Sequence, residues 1–207
     1  MLPEQIEEKS FQLIEERVPY HSFSECEWTI VRRMIHATSD FDLVYDTRFH
    51  PEAIAKGIAA LRRGVPIITD TKMVKVGIAL RKLRRFKTKI LCAISQPEVV
   101  REAQLSDKTR ASIAMQKMSP FIEGSIIVIG NAPTALFEVH KLIKRNSHNP
   151  SLIIGVPVGL VGARESKEVL MKTSIPYITV QGEKGGSPLA VSIVNALALL
   201  ALENRYD

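Results

Sequence analysis

Residues 152–167 read Leu-Ile-Ile-Gly-Val-Pro-Val-Gly-Leu-Val-Gly-Ala-Arg-Glu-Ser-Lys, a strand that turns through a glycine-rich loop straight into a charged helix start. Ile153 to Val156 are all apolar or glycine, the pattern of a strand covered on both faces. Gly159 and Gly162 let the backbone approach a ligand where a side chain would obstruct it. No other stretch constrains the fold as much, because the same grammar recurs along the chain. Strand patterns at Val65–Thr69, Lys89–Ile94, Ser125–Ile129, Leu152–Val156 and Tyr177–Val180 alternate with helical patterns. The helical partners are Met73–Leu83, a region through Arg110–Lys117, Pro133–Lys144, Ala163–Met171 and Ser187–Leu202.

Short β-rich runs separated by helices imply a parallel sheet with helices on both faces. The expected class is α/β: three α/β/α layers around a mostly parallel five-stranded sheet of flavodoxin-like type. Ahead of it, one helix is expected over about Pro3–Glu16, with Ile6, Leu13 and Ile14 on its apolar side. A second starts at Ser24, where Ser24-Glu-Cys-Glu27 has the capping-box form and Trp28, Val31 and Ile35 mark the apolar face. Pro51 opens a third. Residues 1–207 then read as a single domain, with an N-terminal helical segment over about 1–63 and the parallel-sheet region over about 64–207.

The most apolar long run, Pro188 to Leu202, is broken by Ser192 and Asn195. It is shorter than the roughly 20 residues a membrane span needs. The acidic N-terminus has no apolar core, so it does not read as a signal peptide. Cys26 and Cys92 stand far apart, which fits a reducing cytoplasm better than a disulfide framework. A soluble cytoplasmic protein is expected. The net charge of +6 points to an anionic partner. The run Arg81-Lys-Leu-Arg-Arg85 lacks aromatic stacking neighbours, so it reads as a solvated helix face and no nucleic-acid partner is expected.

Polar residues gather where the strands end. Asp70-Thr71-Lys72 follows the first, Asn131-Ala-Pro-Thr134 the third, Pro157-Val-Gly159 the fourth, and Gly182-Glu-Lys184-Gly185-Gly186-Ser187 the fifth. Ligands of open α/β sheets bind at this carboxyl edge, and helix starts there favour anionic groups. Each residue alone also fits a turn or a cap; their coincidence on one edge is what capping does not require. His36 ends the second helix, with Arg33 three before it and Asp40 four after, on about the same side. An imidazole there is either a cap or surface group, or a proton donor and acceptor near neutrality.

The chain has no phosphate-binding Gly-x-x-x-x-Gly-Lys-Ser/Thr loop, no dinucleotide fingerprint after the first strand and no Gly-x-Ser-x-Gly elbow. Its five histidines form no His-x-x-x-His pair, so no protein-bound metal is expected. Read from the residues alone, this is an α/β enzyme for an anionic small molecule, with a phosphorylated or nucleotide ligand still open.

Longer blocks carry a family resemblance. They are Ser10-Phe11, Arg33-Met-Ile-His36 with Asp40, Asp70-Thr-Lys-Met73 followed by Gly77-Ile78, Thr109-Arg110, Gly130-Asn-Ala-Pro-Thr-Ala-Leu-Phe-Glu138, Gly155 to Lys167, and Lys184-Gly-Gly-Ser187. In this order, over nearly the whole chain, they resemble the precorrin-8X and cobalt-precorrin-8 methylmutases of cobalamin biosynthesis. The resemblance implies an isomerase that moves a methyl group from carbon 11 to carbon 12 of a corrinoid, giving hydrogenobyrinate or cobyrinate, without a cofactor. It implies that His36 donates and recovers a proton and that Ser10 and Arg33 bind substrate. Thr71, Arg110, Asn131, Gly159, Lys184, Gly185 and Ser187 are further pocket candidates. Leu160 stands where phenylalanine is common, and Lys184 where arginine is common. The partners implied are an anionic, polycarboxylate tetrapyrrole and a second copy of the chain in a homodimer.

Overall fold

The computed structural model describes residues 2–203; the ends of the expected 1–207 span, residue 1 and residues 204–207, lie outside the described residues. The chain opens with three helices, α1 (Pro3–Arg17), α2 (Glu25–Thr38) and α3 (Leu43–Asp46), then β1 (Thr47–Phe49) and α4 (Ala53–Arg62). The alternating region runs β2 (Ile67–Thr69), α5 (Lys72–Gly77), α6 (Leu80–Leu83), β3 (Ile90–Leu91), α7 (Pro97–Gln104), α8 (Arg110–Met118) and β4 (Ile126–Ile129). It continues through α9 (Pro133–Asn146), β5 (Leu152–Gly155), α10 (Ala163–Met171), β6 (Tyr177–Val180) and α11 (Ser187–Leu202).

The sheet order is β1-β6-β5-β4-β2-β3. All neighbours are parallel except β1, which pairs antiparallel with β6 through Thr47 opposite Val180 and Phe49 opposite Ile178. The five parallel strands keep the expected flavodoxin-like order, and β1 makes the sheet six-stranded. The first 63 residues are therefore not purely helical. Three residues between helices carry no strand period of their own; β1 forms because β6 offers it an unpaired edge. Asp46 and Tyr177 carbonyls extend the ladder by accepting from Gln181 and His50 amides.

Side chains alternate across the sheet. Ile67, Ile126, Val128, Leu152, Ile154 and Ile178 face a core shared with α2, α4, α5 and α11. Ile68, Ile127, Ile129 and Ile153 face the second core, under α7, α8, α9 and α10. Full burial of each such chain contributes about 1.5–3 kcal/mol. The apolar run Pro188–Leu202 becomes α11, a helix wrapped on several sides by the sheet, α2 and α4. No helix among the described residues is long and apolar enough to cross a membrane.

Three local readings change. The single helix expected over Met73–Leu83 is broken at Ile78-Ala79, because the Asn195 side chain on α11 takes over: its oxygen accepts from the Ala79 amide at 2.8 Å and its nitrogen donates to the Gly77 carbonyl. Helix α7 was not anticipated; it is announced only by Pro97 at its first turn and buries a single residue, Val99. On α1, Ile14 is buried, but Ile6 and Leu13 are exposed.

Candidate functional site

The strand order reverses between β2 and β4, and there the carboxyl edge is closed from within. Asp70, fully buried, directs one oxygen to the Gly130 amide at 3.0 Å and the other to the Asn131 and Ala132 amides at 2.8 Å each. Burial pushes this carboxyl above the usual carboxylate range, and the three amides pull it back. Amides that a phosphate could have used are thus already satisfied. Asp70 does not cap the next helix; Thr71 does so, its hydroxyl accepting from the Val74 amide. The Asn131 side chain remains exposed.

The β5 and β6 loops are tied to each other. Val156 donates to Ile129, Gly186 to Val156, and Gly159 to Glu183, all backbone to backbone. Gly185 must be glycine: a Cβ there would sit 2.4 Å from the Val156 carbonyl oxygen and 2.5 Å from that of Pro157. Ser187, the buried first residue of α11, adjoins Gly130, so the β4 end and the start of α11 touch. The loop tip, by contrast, stands in solvent, with Leu160 and Val161 91% and 89% exposed.

Ion pairs tie the end of α2, the helix that carries His36, to this edge. The ammonium of Lys184, just before α11, lies 2.9 Å from Asp40 and 2.7 Å from Asp42, in the turn that follows α2. The end of α2 therefore stands beside the β6–α11 loop. His36 is exposed, its ring edge-on to Phe11 at 5.4 Å, and it has no hydrogen-bond partner among the described residues. The Arg33 guanidinium lies over the same Phe11 ring at 5.1 Å and pairs with Glu7 at 3.0 Å. Ser10, half-buried one residue away on α1, donates to the Ile6 carbonyl. Arg33 and Asp40 thus diverge from His36, one toward α1 and one toward Lys184. Arg110 opens α8, exposed and without an ion-pair partner among the described residues. The Thr109–Thr134 hydroxyl contact, 2.8 Å, brings that helix start to the β4–α9 loop.

One notable residue escaped the sequence reading. Lys167 is fully buried on α10, donates from Nζ to the Lys184 carbonyl at 2.7 Å, and is lowered by burial to about 8. Its helix buries Ala163, Ser166, Lys167 and Leu170. That three-and-four spacing was readable, but lysine is almost never fully buried. A polar cavity of about 390 Å³ beside it is lined by Asp46, Arg164, Gln181, Glu183 and Lys184 among others. A larger groove of about 700 Å³ lies at the opposite end of α2, against α4. It starts at Ser24, about 18 Å along the helix from His36, and does not belong to this edge. Among the described residues no group of three or more His, Cys, Asp or Glu could hold a metal ion.

The edge thus offers an imidazole without a hydrogen-bond partner among the described residues, the exposed Arg110 and an exposed apolar loop tip. Arg33, held by Glu7, lies one turn from the imidazole. The combination is fitted to proton transfer on a large anionic ligand. Residues 5–200 match the family model described as precorrin-8X methylmutase. The chain is 48% identical over 204 residues to the cobalt-precorrin-8 methylmutase of Leptospira interrogans, covering 95% of this chain and 93% of that protein. It is 42% identical over 168 residues to the precorrin-8X methylmutase of Pseudomonas aeruginosa, covering 80% of each. A crystal structure of the precorrin-8X methylmutase from Thermus thermophilus superposes with a TM-score of 0.91 at 38% identity, covering 99% of this chain and 98% of that one.

Proposed function

The chain belongs to the precorrin-8X methylmutase family, an isomerase family of cobalamin biosynthesis, and from that premise we propose that His36 is the proton donor and acceptor for a methyl shift between carbons 11 and 12 of a corrinoid. The observation that carries the proposal is the imidazole itself: exposed, without a hydrogen-bond partner among the described residues, and on the ligand-binding side of the sheet.

A methyl migration between adjacent carbons of a conjugated macrocycle needs one proton added at a ring position to redistribute electrons, and that proton is recovered afterward. No electrons leave the system, so the step needs no oxidant or reductant. General acid catalysis by one positioned group contributes about 10²–10⁴-fold. Holding the macrocycle rigid supplies more. Arg33 and Arg110 are suited to the substrate's carboxylates, each through a guanidinium fork. Ser10, Thr71, Asn131, Gly159, Gly185 and Ser187 complete the proposed lining with hydroxyls, an amide and close backbone approach.

We assign residues 1–207 to one domain, since α11 packs against α2 and α4 as well as the sheet. We also propose a homodimer. Its support is apolar surface left uncovered near the site: Ile6 and Leu13 on α1, and Leu160 and Val161 at the loop tip.

The test is direct. Purified protein with precorrin-8X or cobalt-precorrin-8 should change the visible spectrum with no cofactor added. His36→Ala should lower turnover by at least about 10²-fold while product affinity, followed by absorbance titration, stays within a few fold. A variant turning over at the wild-type rate would remove the proton role.

A further inference from the structure

Lys184 has its ammonium fully engaged. Nζ lies 3.0 and 2.9 Å from the two oxygens of Asp40 and 2.7 Å from Asp42. One cation between two carboxylates leaves a cluster of net negative charge, which repels a substrate carboxylate instead of recruiting it. The side chain's work must lie elsewhere.

Both ends of the side chain are anchored. At the backbone, the Lys184 carbonyl accepts from buried Lys167, Gly185 is wedged against the Val156 and Pro157 carbonyls, and Gly186 donates to Val156. Position 184 is therefore held against the β5 and β6 ends. At the other end, Asp40 and Asp42 belong to the turn that stops α2. Ser39 adopts φ 57° and its amide closes on the Ile35 carbonyl, while the Asp42 amide donates to Asp40 at 3.1 Å. That turn begins three residues after His36.

We propose that Lys184 is a positioning residue for His36: by gripping Asp40 and Asp42 it fixes the end of α2 and so sets where the imidazole stands against the carboxyl-edge loops. The inference rests on the proton role of His36 proposed above. The hydrogen bonds that Lys184 donates to Asp42 and Asp40 raise its pKa, so the strut stays charged through neutral pH. The side chain is 41% exposed, and exposed ion pairs add little to stability. A strut of this kind is visible in turnover rather than in melting temperature.

The experiment compares Lys184→Met, Lys184→Arg, the pair Asp40→Asn with Asp42→Asn, the triple combination, and His36→Ala, each assayed with cobalt-precorrin-8 and precorrin-8X. Lys184→Met should lower kcat by up to about 10²-fold, as a catalytic group misplaced by roughly 1 Å does, with KM within twofold and the melting temperature within a few degrees. Lys184→Arg should restore most of kcat, since it keeps the charge and adds a fork for two carboxylates. The aspartate pair approaches the strut from its other end and should lose a like amount, whether or not Lys184→Met folds. The triple variant should be no worse than either set alone.

A raised KM at unchanged kcat in Lys184→Met would overturn the proposal and return the lysine to substrate binding. Multiplicative losses in the triple variant would overturn it too. Full turnover in His36→Ala would overturn the proton role first and this inference with it; an inactive His36→Ala beside a KM-only Lys184→Met would remove the strut alone.

Discussion

At the scale of single residues, the lesson of Asp70 is that a polar residue at the right edge need not face the ligand. Its carboxylate joins β2 to the β4 loop through three backbone amides. Asp70→Asn keeps the size but puts an amide nitrogen where one oxygen accepted, so at least one buried N–H loses its partner. A loss of about 1–3 kcal/mol in urea-derived stability is expected; an unchanged unfolding midpoint would show that the loop holds without it. Gly185→Ala tests a neighbouring point. Its Cβ would press on two backbone carbonyls that cannot swing aside, so turnover should fall while the far core is untouched, a contrast visible in amide exchange restricted to the β5 and β6 loops. Sequence alone gathered Asp70, Asn131 and the glycine loops on one edge, because strand ends and helix starts are local signals, and it put His36 only at the end of the second helix. It could not say that Asp70 points inward or that Lys184 meets Asp40 and Asp42, since those partners are separated by 60 or more positions and meet only through the sheet order.

At the scale of elements, the five parallel strands and the periodic helices were legible, and β1, α3 and α7 were not. α9, α10 and α11 begin where proline or glycine boundaries announced them. β1, α3 and α7 are three to eight residues long and owe their existence to tertiary partners. α10 also carries the clearest pH consequence. Lys167 holds its ordinary value of 10.5 when unfolded and about 8 when buried, where desolvation penalises the charged form more than Glu183 and Asp46 favour it. Below about 8 both states carry the proton. Between 8 and 10.5 the unfolded chain binds more protons than the folded one, so this group makes stability rise with pH. The wild type should therefore gain on Lys167→Met as pH is stepped from 7 to 10 in urea titrations. A difference that stays flat would mean that the amine is not desolvated in solution.

At the scale of the whole molecule, the strand order was legible because parallel crossovers leave few topologies, and the assembly was not, because one chain's pattern does not announce what covers it. α1 shows the difference. Its period places Ile6, Leu13 and Ile14 on one side, yet only Ile14 is buried within the chain. An apolar stripe that the fold does not use, and an exposed Leu160–Val161 tip, call for another surface. If that surface is a second copy, Leu160→Lys with Val161→Lys should place charges in a closed interface and shift sedimentation from dimer toward monomer, with turnover falling as the protein is diluted. If the tip instead touches only the macrocycle, the same pair raises KM and leaves the sedimentation coefficient where it was. The two outcomes separate a site completed by a partner from one completed by its own loop, because only the first makes specific activity depend on protein concentration.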